Sequence, residues 1–238
     1  MTGADVAKGV ALSKELEYQN INNAEFVNRM YAGFFDRAAD QDGFDLWIDN
    51  LYAGCTRYYV VQGFVNSTEF KKLCARYGIN PGSLEKKGGP TKPLSYPQLK
   101  LDSSKVKDED IERYVDRLYD KVLHRAPYAD GRALWIKVLK EGKGPDGKTY
   151  DAATVASVGF FTSPEYKNKN KTNAEFVYDA YLAFFDRDPL EENDPGYEFW
   201  IDQLDTGKMS RKMMIERGFG QSKEFKDLLR SFGYEIIE

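Results

Sequence analysis

The sequence predicts an all-α protein: three tandem four-helix repeats arranged as a two-lobed helical bundle. Three observations carry that prediction. One pattern is written three times, its apolar residues fall at helical spacing, and capping residues stand where helices should begin. The pattern opens with an aromatic-rich stretch ending in Asp-Arg or His-Arg. It continues through Gly-x-x-x-Trp-Ile-x-x-Leu to Gly-Phe, and closes on Ser-x-Glu-Phe/Tyr-Lys.

Ahead of the first copy, residues 4–18 read as an extra amphipathic helix, with Val6, Val10, Leu12 and Leu16 available for packing. The first helix of copy one carries Phe26, Val27, Met30, Tyr31, Phe34 and Phe35 on one face. Its counterpart in copy two carries Tyr114, Val115, Leu118, Tyr119, Val122 and Leu123, with Asp110 near the start. Asn-Ala-Glu-Phe-Val occurs at both Asn23 and Asn173. Asn is a good N-cap, and Glu25 and Glu175 sit where the helix dipole favours negative charge. The second helix contains Trp47, Trp135 or Trp200, each in a periodic slot that reads as core. The third ends around Gly63-Phe64, Gly159-Phe160 or Gly218-Phe219, where glycine either lets two helices approach closely or ends one. Ser67, Ser163 and Ser222 then read as N-caps of a fourth helix. Pro164 suits the first turn, as do Glu69, Glu165 and Glu224.

Variation falls between helices, as it should in loops. The stretch from Lys140 to Asp151 is the largest insertion and is full of turn residues. Residues 80–109 are rich in Pro, Gly, Lys and Ser and read as a connector. The expected organisation is therefore 1–79 as leading helix plus repeat one, 80–109 as connector, and 110–238 as repeats two and three.

The chain has 238 residues and a net charge of −4, which disfavours a nucleic-acid partner. With 16 Tyr, 15 Phe and 3 Trp it holds ample material for a core. No apolar run approaches a membrane span, and the first residues lack the apolar core of a signal peptide. Cys55 and Cys74 cannot make a four-ligand zinc site; reduced thiols are favoured, with a disulfide left open.

Candidate chemistry is sparse. His124, the sole histidine, shares its slot with Asp36 and Asp186, which reads as a surface position rather than a catalytic or metal-binding one. Arg37, Arg125 and Arg187 could clamp an anion, but a triplicated Arg at a helix end fits a cap or a partner for a carboxylate such as Asp40. Asp40 and Asp42 hint at a calcium loop, yet Ala38 occupies the position that needs an acid. No cofactor, metal or catalytic constellation is expected. What remains are aromatics that do not recur: Tyr52, Tyr58 and Tyr59 in copy one, Tyr128 and Tyr150 in copy two, and Tyr197 in copy three. Flat rings with polar tips, exposed in a groove, are what sugar rings stack on.

The combination Phe-Val-x-x-x-Tyr, Arg-x-x-Asp-x-x-Gly-x-x-x-Trp, Gly-Phe and Ser-x-Glu-Phe resembles the domain-of-unknown-function 4214 family, most closely from Phe26 to Phe70. Copy two departs from it with Tyr128 in the Asp40 position, and copy three has a three-residue insertion between Arg187 and Gly196. The resemblance implies a secreted or surface-attached bacterial protein, often found beside carbohydrate-active modules and related to helical linker domains of phycobilisomes. The tandem architecture is also similar to the helical starch-binding region of starch-adherence proteins in gut-bacterial amylosomes. The expected function is thus a non-catalytic carbohydrate-binding module, most of all for starch or α-1,4-glucan, in a groove between lobes. The alternative is a protein-binding assembly or linker module without glycan affinity.

Overall fold

A computed structural model describes residues 1–94, 98–102 and 106–237. The chain forms a bundle of helices: α1 (Gly3–Ala11), α2 (Lys14–Tyr18), α3 (Asn23–Phe35), α4 (Gln41–Tyr52), α5 (Arg57–Val65), α6 (Thr68–Arg76), α7 (Asp108–Leu118), α8 (Ala129–Glu141), α9 (Ala152–Val155), α10 (Pro164–Lys167), α11 (Asn173–Phe185), α12 (Pro195–Asp205), α13 (Arg211–Met213) and α14 (Lys223–Ser231). Three of them run on into π turns: α7 through Tyr119–Leu123, α9 through Ala156–Phe161 and α13 through Met214–Gly218. Each repeat holds four helical segments, as the sequence predicts. One small addition is an antiparallel ribbon of β1 (Lys100–Asp102) and β2 (Glu235–Ile237), pairing Leu101 with Ile236.

The caps explain the helix starts. Ser67, Ser163 and Ser222 each accept the backbone N–H three residues on, at 3.1 Å. The first helices are capped one residue earlier than expected, by Asn22 and Thr172. Their side chains accept from Glu25 and Glu175, leaving Asn23 and Asn173 as first helical residues. Asp36, His124 and Asp186 end these helices in the left-handed region, with φ of 53°, 55° and 56°. Asp and His tolerate that conformation better than most residues, which accounts for their shared slot.

The recurring glycines are explained by close approach. A Cβ on Gly63 would lie 2.1 Å from the Trp47 ring, and one on Gly159 or Gly218 would lie 2.6 Å from Trp135 or Trp200. A Cβ on Gly43 would meet the Tyr31 hydroxyl at 2.0 Å. Each repeat therefore seats its tryptophan on one helix through one bare backbone position.

The chain divides into two compact units: Met1–Ser95 with Gln203–Ser210, and Tyr96–Asp202 with Arg211–Glu238. In the first, Phe26, Val27, Ile48, Val60, Phe64 and Val65 are almost wholly buried and lie in one apolar core. Residues 80–94, read from sequence as the start of a connector, run along this unit as a strap. Asn66 exchanges two hydrogen bonds with Leu84, Thr56 N–H donates to Gly88 O at 2.8 Å, and Thr91 N–H donates to Ala53 O at 2.9 Å. In the second unit, Leu99 and the ribbon pack as part of the fold, Leu99 N–H donating to the Asp151 carboxylate.

The leading helix differs from expectation. It breaks at Ser13, which caps α2 by accepting from Leu16 N–H at 3.2 Å. The buried face of α1 is Ala4, Ala7 and Ala11, while Val6, Val10 and Leu12 are exposed. These alanines let α1 lie close on α5, and at its start a Cβ on Gly3 would be 2.9 Å from Cys74 Sγ. Gly9-x-x-x-Ser13-x-Glu15-Leu16 is in fact a fourth writing of the repeat's closing half. It parallels Gly159 through Tyr166 residue for residue, and the match extends to Asn20 and Asn170, at φ 49° and 48°. The first unit thus opens on this closing element, and among the described residues no leading helix pair stands before it.

Candidate functional site

The recurring polar residues form a frame. Arg37, Arg125 and Arg187 each make a two-pronged ion pair, to Glu69, Glu165 and Glu224 respectively, while the guanidinium stacks on the first-helix tyrosine. Arg37 also reaches Asp40 at 3.2 Å, and Arg187 reaches Asp194 at 2.5 Å. The arginine beside them holds Glu69 and Glu165 below the usual carboxylate range. Burial pushes Tyr31 and Tyr119 up, and Tyr181 up to about 12. These are structural pairs that tie the first helix of a repeat to its last.

The non-recurrent tyrosines differ in exposure. Tyr150 is buried, folded over Gly144, where a Cβ would lie 2.3 Å from its ring. Tyr197 is buried edge-on to Tyr181, and its hydroxyl donates to Ala174 O at 3.0 Å. Burial raises both hydroxyls above the usual tyrosine value. Neither offers an open face. Tyr52, Tyr58 and Tyr59 are half-buried beside the strap. Lys92 sits 4.0 Å from the Tyr52 ring and Lys87 4.6 Å from that of Tyr58; the Tyr58 hydroxyl donates to Glu85 O, and Tyr59 lies against Gly89. Tyr128 alone of the six is well exposed, at 61%, with Arg125 stacked 4.0 Å from its ring.

A buried polar cluster lies in the second unit. Asp179 is fully buried, accepting from the Tyr166 hydroxyl at 2.7 Å and pairing with Lys171 at 2.6 Å; His124 Nε2 lies 3.6 Å away. Lys169 nearby donates to the carbonyls of Val122 and Leu123. Burial and the Asp179 carboxylate push the Tyr166 hydroxyl far above its usual range, so it is a donor rather than a base. The cluster pins the end of the α7 π turn to α10 and α11. Both cysteines are free and buried. Among the described residues no cluster of His, Cys, Asp or Glu could hold a metal, and no helix is long and apolar enough to cross a membrane.

Two concavities stand out, one in each unit. In the second, an open hollow of about 560 Å³ runs along α8 over Ala129, Ala133 and Ile136, with Glu112, Arg132, Lys137 and Lys140 around it. In the first, an apolar groove of about 460 Å³ has a floor of Ala7, Ala11, Met30, Phe34, Phe70 and Cys74. Its walls are Val6 and Val10 on α1, and Tyr77 and Ile79 after α6. All four wall residues are exposed.

Residues 7–74 and 157–229 match the family described as a domain of unknown function, DUF4214. The chain belongs to this family. No curated protein and no solved structure matches it, so the likeness to starch-adherence proteins gains no support from these comparisons.

The two DUF4214 matches begin at residues 7 and 157, which are equivalent positions of the Gly-x-x-x-Ser-x-Glu element. A DUF4214 unit here therefore starts with that element, passes through one full set of helices and ends with the next such element. The groove residues were missed in the sequence because the leading segment was read as an isolated helix. The signal that would have found them is the fourth Gly-x-x-x-Ser-x-Glu at Gly9.

Proposed function

We propose that this DUF4214 chain is a non-catalytic binding module whose principal ligand is protein, taken up in the apolar groove of the first unit. The observation that carries the reading is the groove itself: a continuous apolar floor with exposed Val6, Val10, Tyr77 and Ile79 at its rim. Exposed apolar surface arranged around a concavity is the usual mark of a protein-binding site. An amphipathic helix laid in such a groove gains affinity from its apolar anchors. This reverses the order of the two functions expected from sequence, because Tyr150 and Tyr197 are buried and Tyr52, Tyr58 and Tyr59 half-buried, which leaves Tyr128 as the one well-exposed ring of the six. Calorimetry of the full chain with a generic amphipathic Leu/Lys helix and with maltoheptaose tests it. Heat with the helix, lost in Val10→Asp, supports the reading; no heat with any helical peptide sinks it.

A second reading rests on Tyr128. Its exposed ring beside the α8 hollow is suited to stacking one glucose of an α-glucan while Glu112, Arg132 and Lys137 at the hollow hydrogen-bond hydroxyls. Retardation in a starch gel that disappears in Tyr128→Ala would establish it, and would fit a secreted or surface-attached bacterial setting.

A further inference from the structure

The second unit contains the same groove as the first, already filled. By the repeat pattern, α1, α3 and α6 correspond to the α9 segment with its π turn, α11 and α14. Val10 corresponds to Phe160, Gly33 to Ala183, Phe70 to Phe225, Tyr77 to Phe232 and Ile79 to Tyr234. Helix α7 lies across all three walls. Tyr119, in its π turn, meets Phe160 edge-on at 5.0 Å. Arg117 donates to the carbonyls of Leu182 and Ala183 and pairs with Asp186 at 2.8 Å. Tyr114 packs on Phe232 at 5.8 Å and on Phe225 at 6.5 Å. The consequence is burial: Phe160 is 0% exposed and Tyr234 2%, against 65% for Val10 and 47% for Ile79.

Two further positions in the first unit lack what their counterparts hold. Gly63, Gly159 and Gly218 each receive a tryptophan ring, but Gly9 has nothing within 4 Å of where a Cβ would be. Glu69, Glu165 and Glu224 each receive a two-pronged arginine; among the described residues no arginine pairs with Glu15, which is exposed. Glycine inside a helix is destabilising relative to alanine. Among the described residues nothing within 4 Å of the Gly9 Cβ position offsets that cost.

We infer that the groove of the first unit is the docking site for the leading helix pair of another DUF4214-type repeat. That partner presents an aromatic-aliphatic stripe to Val6, Val10 and Tyr77, a tryptophan to Gly9 and an arginine to Glu15. The inference rests on the protein-binding reading and names its partner. The exposed stripe of Val6, Val10 and Tyr77, the bare Gly9 and the exposed Glu15 all suit one and the same helix pair, and α7 with α8 shows its form within this molecule.

The probe is a peptide of residues 107–142, which holds α7, its π turn and α8, titrated into the full chain by calorimetry. The expected result is saturable binding, tighter than that of the generic Leu/Lys helix. Val10→Asp in the chain should weaken it by about tenfold or more. Glu15→Arg should also weaken it, and an Arg125→Glu peptide should bind Glu15→Arg better than the unaltered chain does, as a charge swap requires. A second arrangement covers a peptide too unfolded to bind when free: the same segment is fused ahead of the chain through a flexible linker, which raises its effective concentration to the millimolar range. Fusion should then slow hydrogen exchange in α1 and α3. Equal affinity for the probe and the generic helix overturns the inference while leaving the protein-binding reading. Absence of binding by every helix, free and fused, overturns both. Dimerisation of the chain alone, abolished by Val10→Asp in sedimentation, overturns it in favour of a copy-to-copy contact.

Discussion

Phe160 and Val10 occupy the same place in two writings of one pattern, yet one is sealed beneath Tyr119 and Trp135 and the other faces solvent. The α9 segment is covered by a helix pair of its own repeat; among the described residues no such pair covers α1. The difference teaches that the closing element caps itself by local bonds, whereas burial of its outer face depends on the helix pair laid over it. Ser13 and Ser163 each satisfy a backbone N–H three residues away, whatever lies overhead.

The comparison breaks most sharply at that pair of residues. Phe160→Ala should destabilise the second unit by about 3–5 kcal/mol, as a large buried aromatic replaced by a cavity does. Val10→Ala should shift stability by no more than about 0.5 kcal/mol, as an exposed substitution does. Denaturant titration of both variants checks this, and a similar loss in the two would contradict the groove being open. Next come the glycines. Gly159→Ala forces a Cβ against Trp135 and should cost about 1–3 kcal/mol by overpacking. Gly9→Ala meets nothing and should stabilise α1 by about 0.5–1 kcal/mol in the same assay.

A smaller effect concerns pH. Glu165 is held below the usual carboxylate range by Arg125, so its folded pKa is depressed. Such a group contributes stability above its unfolded pKa, about 4.3, and loses it as pH falls through the folded value. Thermal melts of the second unit should therefore show an acid-sensitive component below about pH 4.3 that Glu165→Gln removes. The contribution is modest because the Glu165 side chain is more than a third exposed.

Much of the frame was legible in the sequence. The triplicated slots predicted four helices per repeat, and Ser67, Ser163 and Ser222 cap as expected because an N-cap is a local interaction. The first-helix caps were read one residue late, since Asn22 and Asn23 have equal chemistry and only the backbone geometry chooses between them. The packed face of α1 was misread because hydropathy favours valine, whereas α1 lies on α5 with the alanines Ala4, Ala7 and Ala11 turned inward. The strap looked like a linker because its hydrogen bonds are made by backbone groups, which composition does not display. Tyr150 and Tyr197 looked available because they do not recur; each is buried by a contact particular to its own copy, Gly144 and Tyr181.

The Gly9→Ala variant offers the most direct test of docking at α1. A methyl there improves the isolated helix and blocks the seat of an incoming tryptophan. The measurement is the affinity of the 107–142 helix pair, fused or free, for Gly9→Ala beside the unaltered chain, with melting temperatures recorded for both. The account predicts an equal or higher melting temperature together with binding weakened by about tenfold or more, the size expected for loss of a buried aromatic anchor. Undiminished binding by a variant of equal or greater stability would contradict it.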